Sequence, residues 1–138
     1  MKIHFLESGF AVADTVKPAD MASIKEQGFR TVICHRRESE DDYEGERVYA
    51  SAAEDQGLEW VSIPVAPGEY SKADVDAFSH ALENSASPVL GFCRTGRRAV
   101  HMWAQDKARN PQCSIPALLS AAEAAGHDPA SVEKILER

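Results

Sequence analysis

The chain has 138 residues, 43% hydrophobic and 27% charged, the size and composition of a globular domain that buries a core without staples. Its net charge of -7 argues against general nucleic-acid binding, because an acidic surface repels phosphate backbones. No apolar run approaches the roughly 20 residues of a membrane span, and the start Met1-Lys2-Ile3-His4-Phe5-Leu6-Glu7 is too short and too charged for a signal peptide, so a cytoplasmic protein off the membrane is expected.

In chain order, Phe10-Ala11-Val12-Ala13 predicts a short strand. Pro18 suits a first helical position, Met21 and Ile24 give an i, i+3 stripe, and Gly28 ends that helix. Thr31-Val32-Ile33-Cys34 is β-branched and reads as a buried strand. A charged loop runs from Arg36 to about Gly45, and Glu46 to Gln56 predicts a helix stopped at Gly57. Leu58 to Val65 is the next strand, broken by Ala66-Pro67-Gly68. Ser71-x-x-Asp74 resembles a capping box, with Val75, Phe78 and Leu82 on one helical face. Val89-Leu90-Gly91-Phe92 is a short strand that delivers Cys93. Val100, Trp103, Ala104 and Lys107 then have helical spacing up to Pro111, with Trp103 a core residue. Ile115 to Ala125 and Ala130 to Leu136 form two more helices, broken at Gly126-His127-Asp128-Pro129.

This alternation predicts one α/β domain over residues 1–138, a three-layer sandwich with a mostly parallel central sheet and helices on both faces. Ligands of such sheets bind beyond the carboxyl ends of the strands, where both Cys93 and Cys34 fall. Three cysteines without close spacing give neither a disulfide framework nor a zinc motif, so reduced thiols and no metal or cofactor are expected.

A strand ending in Cys93, a loop through Gly96 and a following helix are chemically specific. The amides of Arg94, Thr95, Gly96 and Arg97 can turn inward as an anion nest, the helix start adds partial positive charge, and the Arg98 guanidinium can fork onto an oxyanion. All three favour thiolate over thiol in such a loop. Gly96 lets the backbone curl without a Cβ clash. The bland alternative is an inert core cysteine. The glycine and three arginines in the next five residues weigh against it.

The segment Gly91-Phe92-Cys93-Arg94-Thr95-Gly96-Arg97-Arg98 resembles the loop of the beta-lactamase-hydrolase-like phosphatase family. Gly28-Phe29-Arg30-Thr31-Val32-Ile33, Ile63-Pro64-Val65, Ala73-Asp74-Val75 and Ala121-Ala122-Glu123-Ala124-Ala125-Gly126 also match its pattern, in the right order. The resemblance implies a tyrosine-phosphatase-like fold with a rhodanese-like loop. Some members are fused to a metallo-beta-lactamase-fold persulfide dioxygenase, and the family also carries a sulfurtransferase label. A sulfide-oxidation enzyme is therefore a possible partner. In the family pattern the end of the strand before the charged loop reads Asn-Asn-Arg-Pro. Here it is Cys34-His35-Arg36-Arg37, so only Arg36 matches, and Ala99 replaces a hydroxyl residue after the arginine.

Loop length separates two chemistries. Tyrosine phosphatases place five residues between Cys and Arg, which would put the Arg at Ala99; Arg98 leaves four, as in rhodaneses. Such phosphatases also use a loop Asp as general acid, and Val65-Ala66-Pro67-Gly68-Glu69-Tyr70 offers only Glu69 as a substitute. Sulfur transfer needs no acid when sulfite or a low-pKa thiolate leaves. The leading expectation is therefore a sulfurtransferase, in which Cys93 takes a sulfane sulfur from thiosulfate or a persulfide, carries it as a persulfide held by the loop and Arg98, and passes it to a thiol or cyanide. A phosphatase working through phosphocysteine is the first alternative. A noncatalytic anion- or persulfide-binding module is the second.

The surrounding residues have weaker readings. Arg94 can attract small anionic sulfur or phosphate substrates, and Arg97 faces solvent. His35 can adjoin the pocket and add positive charge. Cys34 is either a sulfur-accepting thiol or a buried strand cysteine, with the second favoured. Cys113 is structural, His101 is helix surface or packing, and His4, His80 and His127 lack ligand spacing. The acidic run from Glu38 to Glu46 is a solvated surface that can also cover the site.

Overall fold

Alternation along the strands sorts side chains onto two faces, and each face carries its own helices. The computed structural model describes residues 1–137. Its sheet contains β1 (Ile3–Glu7), β2 (Phe10–Ala13), β3 (Thr31–Cys34), β4 (Glu59–Ser62) and β5 (Val89–Phe92) in the spatial order β1-β2-β5-β3-β4. Strands β2, β5, β3 and β4 run parallel, and β1 is antiparallel to β2. The helices are α1 (Met21–Glu26), led in by a 3-10 turn over Pro18–Asp20, then α2 (Glu46–Asp55), α3 (Lys72–Asn84), α4 (Arg97–Ala108), α5 (Ile115–Ala124) and α6 (Pro129–Leu136).

Ala11, Ala13, Val32, Cys34, Leu90 and Phe92 point to one face and pack with Met21, Ile24, Tyr49 and Ala53 of α1 and α2. Phe10, Val12, Ile33 and Val89 point to the other and pack with Val75 and Phe78 of α3, Val100 and Trp103 of α4, and Leu118 and Val132 of α5 and α6. The expected three layers are present. So is the capping box: Ser71 Oγ accepts from Asp74 N at 3.1 Å, and Asp74 Oδ2 accepts from Ser71 N at 2.9 Å.

Two elements differ from the sequence reading. Strand β1 was not expected, because only Leu6 in it is buried and an edge strand with one buried residue has no period-two signal. Phe5 remains more than half exposed and stacks on Phe29 at 5.6 Å. The expected strand Leu58–Val65 is regular only over Glu59–Ser62, although Ile63 and Val65 still donate backbone bonds to Cys34 and His35.

Strand β5 lies between β2 and β3, so three strand ends meet around Cys93. Helix α4 presses closely on β5. A Cβ on Gly91 would lie 2.8 Å from Phe10 Cζ and 3.3 Å from Ala99 Cβ. That close approach sets the start of α4 over the end of β5.

Candidate active site

The link from β5 to α4 turns on Gly96, whose φ of +91° lies in the left-handed region that side chains disfavour. The turn aims the Gly96 N–H at Cys93 Sγ, 3.1 Å away. The sulfur therefore accepts a backbone hydrogen bond at the start of a twelve-residue helix, where the helix field favours negative charge. Cys93 is buried at 1% exposure. The loop is tied to the end of β2 by Thr15 N–H donating to Arg94 O at 3.2 Å.

Arg98, in the first turn of α4, is also buried. Its Nη1 donates to His35 O (3.1 Å), Val65 O (3.0 Å) and Glu40 Oε2 (2.5 Å), and its Nη2 donates to Glu40 Oε1 (2.8 Å). Glu40 thus takes the end of the guanidinium in a two-pronged grip. None of these bonds uses Nε–H, and Arg98 lies near enough to Cys93 for the two groups to act on each other electrostatically. Glu40 and Cys93 both hold the Arg98 pKa above its ordinary value against the opposing effect of burial. Glu40 is itself depressed to about 2: burial pushes it up, and the bonds from Arg98, the Arg37 backbone and Arg36 overcome that push.

The other sequence-predicted residues divide sharply. His35 joins the site through its backbone oxygen. Its ring is fully buried, and its Nδ1 lies 2.9 Å from Ile63 O. Burial lowers its pKa to about 4, so at neutral pH the ring brings none of the positive charge expected of it. Arg36 is buried and committed elsewhere, to Glu40 at 3.2 Å, to Asp41 O at 2.7 Å and to the face of the Tyr43 ring at 5.1 Å. Cys34 is buried beside Tyr43 Oη and Arg36 N, and burial raises its thiol to about 11. Glu69 is exposed on a tight Ala66–Glu69 turn. Arg94 and Arg97 are exposed.

Tyr70, next to Glu69, turns inward instead. Ser131 Oγ donates to Asp128 O at 2.9 Å, so it accepts from His101 Nε2 at 3.2 Å, which leaves Nδ1 to accept the Tyr70 hydroxyl at 2.8 Å. This chain fastens the 65–70 loop to α4. His101 is accordingly buried packing. His127 packs on the loop from outside: its ring atoms would lie 3.3 Å from a Cβ at Gly96.

Sequence reasoning missed Glu40, which it left in a solvated acidic surface. The signal was available: an arginine on the buried side of a helix requires a carboxylate, and the acidic run follows the neighbouring strand directly. Among the described residues, no group of three or more His, Cys, Asp or Glu is arranged to hold a metal ion, and no helix is long and apolar enough to cross a membrane.

Comparison with known proteins places this geometry. A protein of Agrobacterium fabrum named beta-lactamase hydrolase-like protein is 26% identical over 139 residues, covering all of this chain and 32% of that protein. The chain thus spans about a third of that relative's length. A crystal structure from Neisseria meningitidis, provisionally named a phosphatase, superposes with a TM-score of 0.85 at 25% identity, over 98% of this chain and 96% of that one. The catalytic core of an inositol-pyrophosphate-class phosphatase of S. cerevisiae, named a PP-IP phosphatase and solved with citrate, shares the fold alone, with a TM-score of 0.72 at 9% identity over 96% of this chain and 82% of that one. The architecture is that of the tyrosine-phosphatase-like proteins. The family model for the phosphatase-like domain of beta-lactamase hydrolase-like proteins matches residues 2–110, and the chain belongs to that family.

Proposed function

We propose that this chain hydrolyses phosphate monoesters through a phosphocysteine on Cys93. The observation that carries the reading is the buried Arg98 guanidinium, gripped at its end by Glu40 and electrostatically coupled to Cys93, whose sulfur accepts the Gly96 N–H. A phosphoryl group seated on the loop would meet the Gly96 amide, the helix start and the Arg98 guanidinium, where negative charge develops. Cys93 sulfur attacks phosphorus as the bond to the leaving oxygen breaks. Water then attacks the phosphocysteine, releasing phosphate and restoring the sulfur.

The exposed position of Glu69 bears on the substrate. On this reading Glu69, exposed on its turn, supplies no proton to the leaving oxygen, and the rate depends on how well that oxygen leaves unaided. Aryl phosphates and phosphoanhydrides are favoured over alkyl phosphates.

One observation favours a second reading. Four residues separate Cys93 from Arg98, and a short loop without a facing acid also suits sulfane sulfur transfer through a Cys93 persulfide. Wild type and Cys93→Ser, each assayed with 4-nitrophenyl phosphate and with thiosulfate plus cyanide, separate the two. Phosphate release lost in the variant supports phosphatase action. Thiocyanate formation lost in the variant, with no phosphate release, replaces it with sulfur transfer. Mass spectrometry of Cys93 distinguishes the phosphoryl adduct from the sulfur adduct.

A further inference from the structure

Glycine has no Cβ to restrict it, so nothing in Gly96 itself keeps its φ at +91° or its N–H on the Cys93 sulfur at 3.1 Å. The restraint comes from its neighbours. A Cβ built on Gly96 would meet Ala13 O, at the end of β2, at 3.4 Å, and both Cε1 and Nε2 of His127 at 3.3 Å. A strand end and one imidazole ring therefore close in the turn.

His127 comes from the link between α5 and α6, beyond residue 110 where the match to the family model ends. Its backbone is fixed on both sides. Gly126 turns at φ +86°, its N–H reaches Glu123 O, and the His127 N–H reaches Ala122 O, both at 2.9 Å. The next residue, Asp128, caps α6 by accepting from Ala130 N at 2.9 Å. The ring is half-buried, and among the described residues it makes no side-chain hydrogen bond. The groups that face it are His4 of β1 and Asp14 after β2, with Lys2 and Arg97 lining the two clefts that share it. Burial and His4 lower the His127 pKa against the pull of Asp14, so at neutral pH the ring is uncharged. What it offers the loop is a flat wall.

We infer that His127 is a positioning residue for the Cys93 site: its ring backs the Gly96 turn and keeps the Gly96 N–H aimed at the sulfur. Without the ring, Gly96 regains the backbone freedom of a glycine, and the Thr95–Gly96 peptide can rotate its N–H away. The sulfur then loses the backbone donor that fixes its position, and small misplacements of a reacting atom are costly. The effect on rate rests on the phosphatase reading; the aim of the amide does not.

The Gly96 amide reports its own aim without turnover. Its hydrogen exchange is followed by NMR in wild type, His127→Ala and His127→Phe, with the Val100 amide, which donates to Gly96 O at 3.0 Å, as internal control. In His127→Ala, Gly96 exchange speeds about tenfold or more while Val100 stays protected. Turnover of 4-nitrophenyl phosphate falls about tenfold, with the loss in kcat rather than KM. His127→Phe keeps a flat ring in the same place and returns both measurements close to wild type. Equal Gly96 exchange in wild type and His127→Ala overturns the inference. So does joint acceleration of Gly96 and Val100, which marks a loosened helix start rather than one misaimed amide. Faster Gly96 exchange with kcat unchanged removes the positioning role, and a His127→Phe protein that behaves like His127→Ala shows that polarity acts instead of the wall. Wild type that releases no phosphate while the exchange results hold overturns the phosphatase reading alone.

Discussion

Glu40 and Arg98, 58 positions apart in the chain, meet fork to fork, both carboxylate oxygens on both terminal guanidinium nitrogens. The pair joins the acidic loop after β3 to the first turn of α4. It also fixes the orientation of the guanidinium, because both terminal nitrogens are taken by one carboxylate.

Removing Glu40 therefore has two effects. In Glu40→Ala, Arg98 keeps the carbonyls of His35 and Val65 but loses its counter-charge while remaining buried. The expected cost is about 3 kcal/mol, the low end for a broken buried pair because Glu40 is 14% exposed, and it corresponds to a drop of roughly 10 °C in Tm. The guanidinium also loses its orientation, and misplacement of this kind lowers turnover by about 100-fold. Thermal unfolding and kcat/KM on 4-nitrophenyl phosphate measure the two. Unchanged turnover in a folded variant would show that Glu40 anchors the fold without aligning the site.

The same pair sets an acid limit on stability, and His35 sets another above it. Glu40 falls from an ordinary 4.5 to about 2 on folding, so its contribution is complete above pH 4.5 and is lost as pH drops toward 2. His35 falls from 6.5 to about 4, because burial penalises the imidazolium. Folding is therefore undisturbed by His35 above pH 6.5 and weakens as pH drops from there to 4. Urea midpoints should fall in two overlapping stages, the first from about pH 6.5 and the second from about pH 4.5. Glu40→Gln should remove the lower stage and spare the upper. A midpoint that stays flat from pH 7 down to 4 would show that the buried His35 ring is not kept neutral by the fold.

Chemical labelling tests the role of Cys34. Its thiol is fully buried and raised to about 11, with burial the main cause. Iodoacetamide at pH 7.5 should leave Cys34 unmodified in the native protein and label it in urea, with peptide mapping as the readout. Native labelling at a rate similar to Cys113, which is partly exposed, would mean that Cys34 is reachable as a sulfur acceptor.

These results show where sequence reasoning succeeds and where it stops. Strands β2, β3 and β5 were legible to the residue, because their β-branched and aromatic runs are bounded by turn residues and buried on both faces. The strand, turn and helix around Cys93 were legible because an apolar run ends at the cysteine and Gly96 supplies the left-handed turn before helical spacing resumes. Strand β1 was not, since its pairing is made by backbone atoms while most of its side chains face water. Glu40 was not, since Glu38, Glu40, Asp41, Asp42 and Glu44 on one loop look equivalent until the fold brings one beside Arg98. His35 was legible as a position and misread as a charge, because one sequence cannot reveal how completely a ring will be desolvated.

The contact at Gly91 tests whether α4 must approach β5 as closely as it does. In Gly91→Ala the new methyl would meet Phe10 Cζ at 2.8 Å and Ala99 Cβ at 3.3 Å. The Phe10 ring cannot swing away easily, because it packs edge-on against Phe78 at 5.6 Å. Overpacking of this kind costs about 1–3 kcal/mol. Because α4 begins six residues after Gly91, a shift of that helix also moves Arg98 relative to Cys93, so activity should fall by more than the stability loss alone explains. Phe10→Leu in the same chain removes the ring atoms that clash. The double variant should therefore be more stable than the sum of the two single losses predicts, a coupling expected only of residues in contact. Strict additivity of the two unfolding free energies would mean that the sheet and helix can separate without cost, and that the close approach of α4 is not what aligns the site.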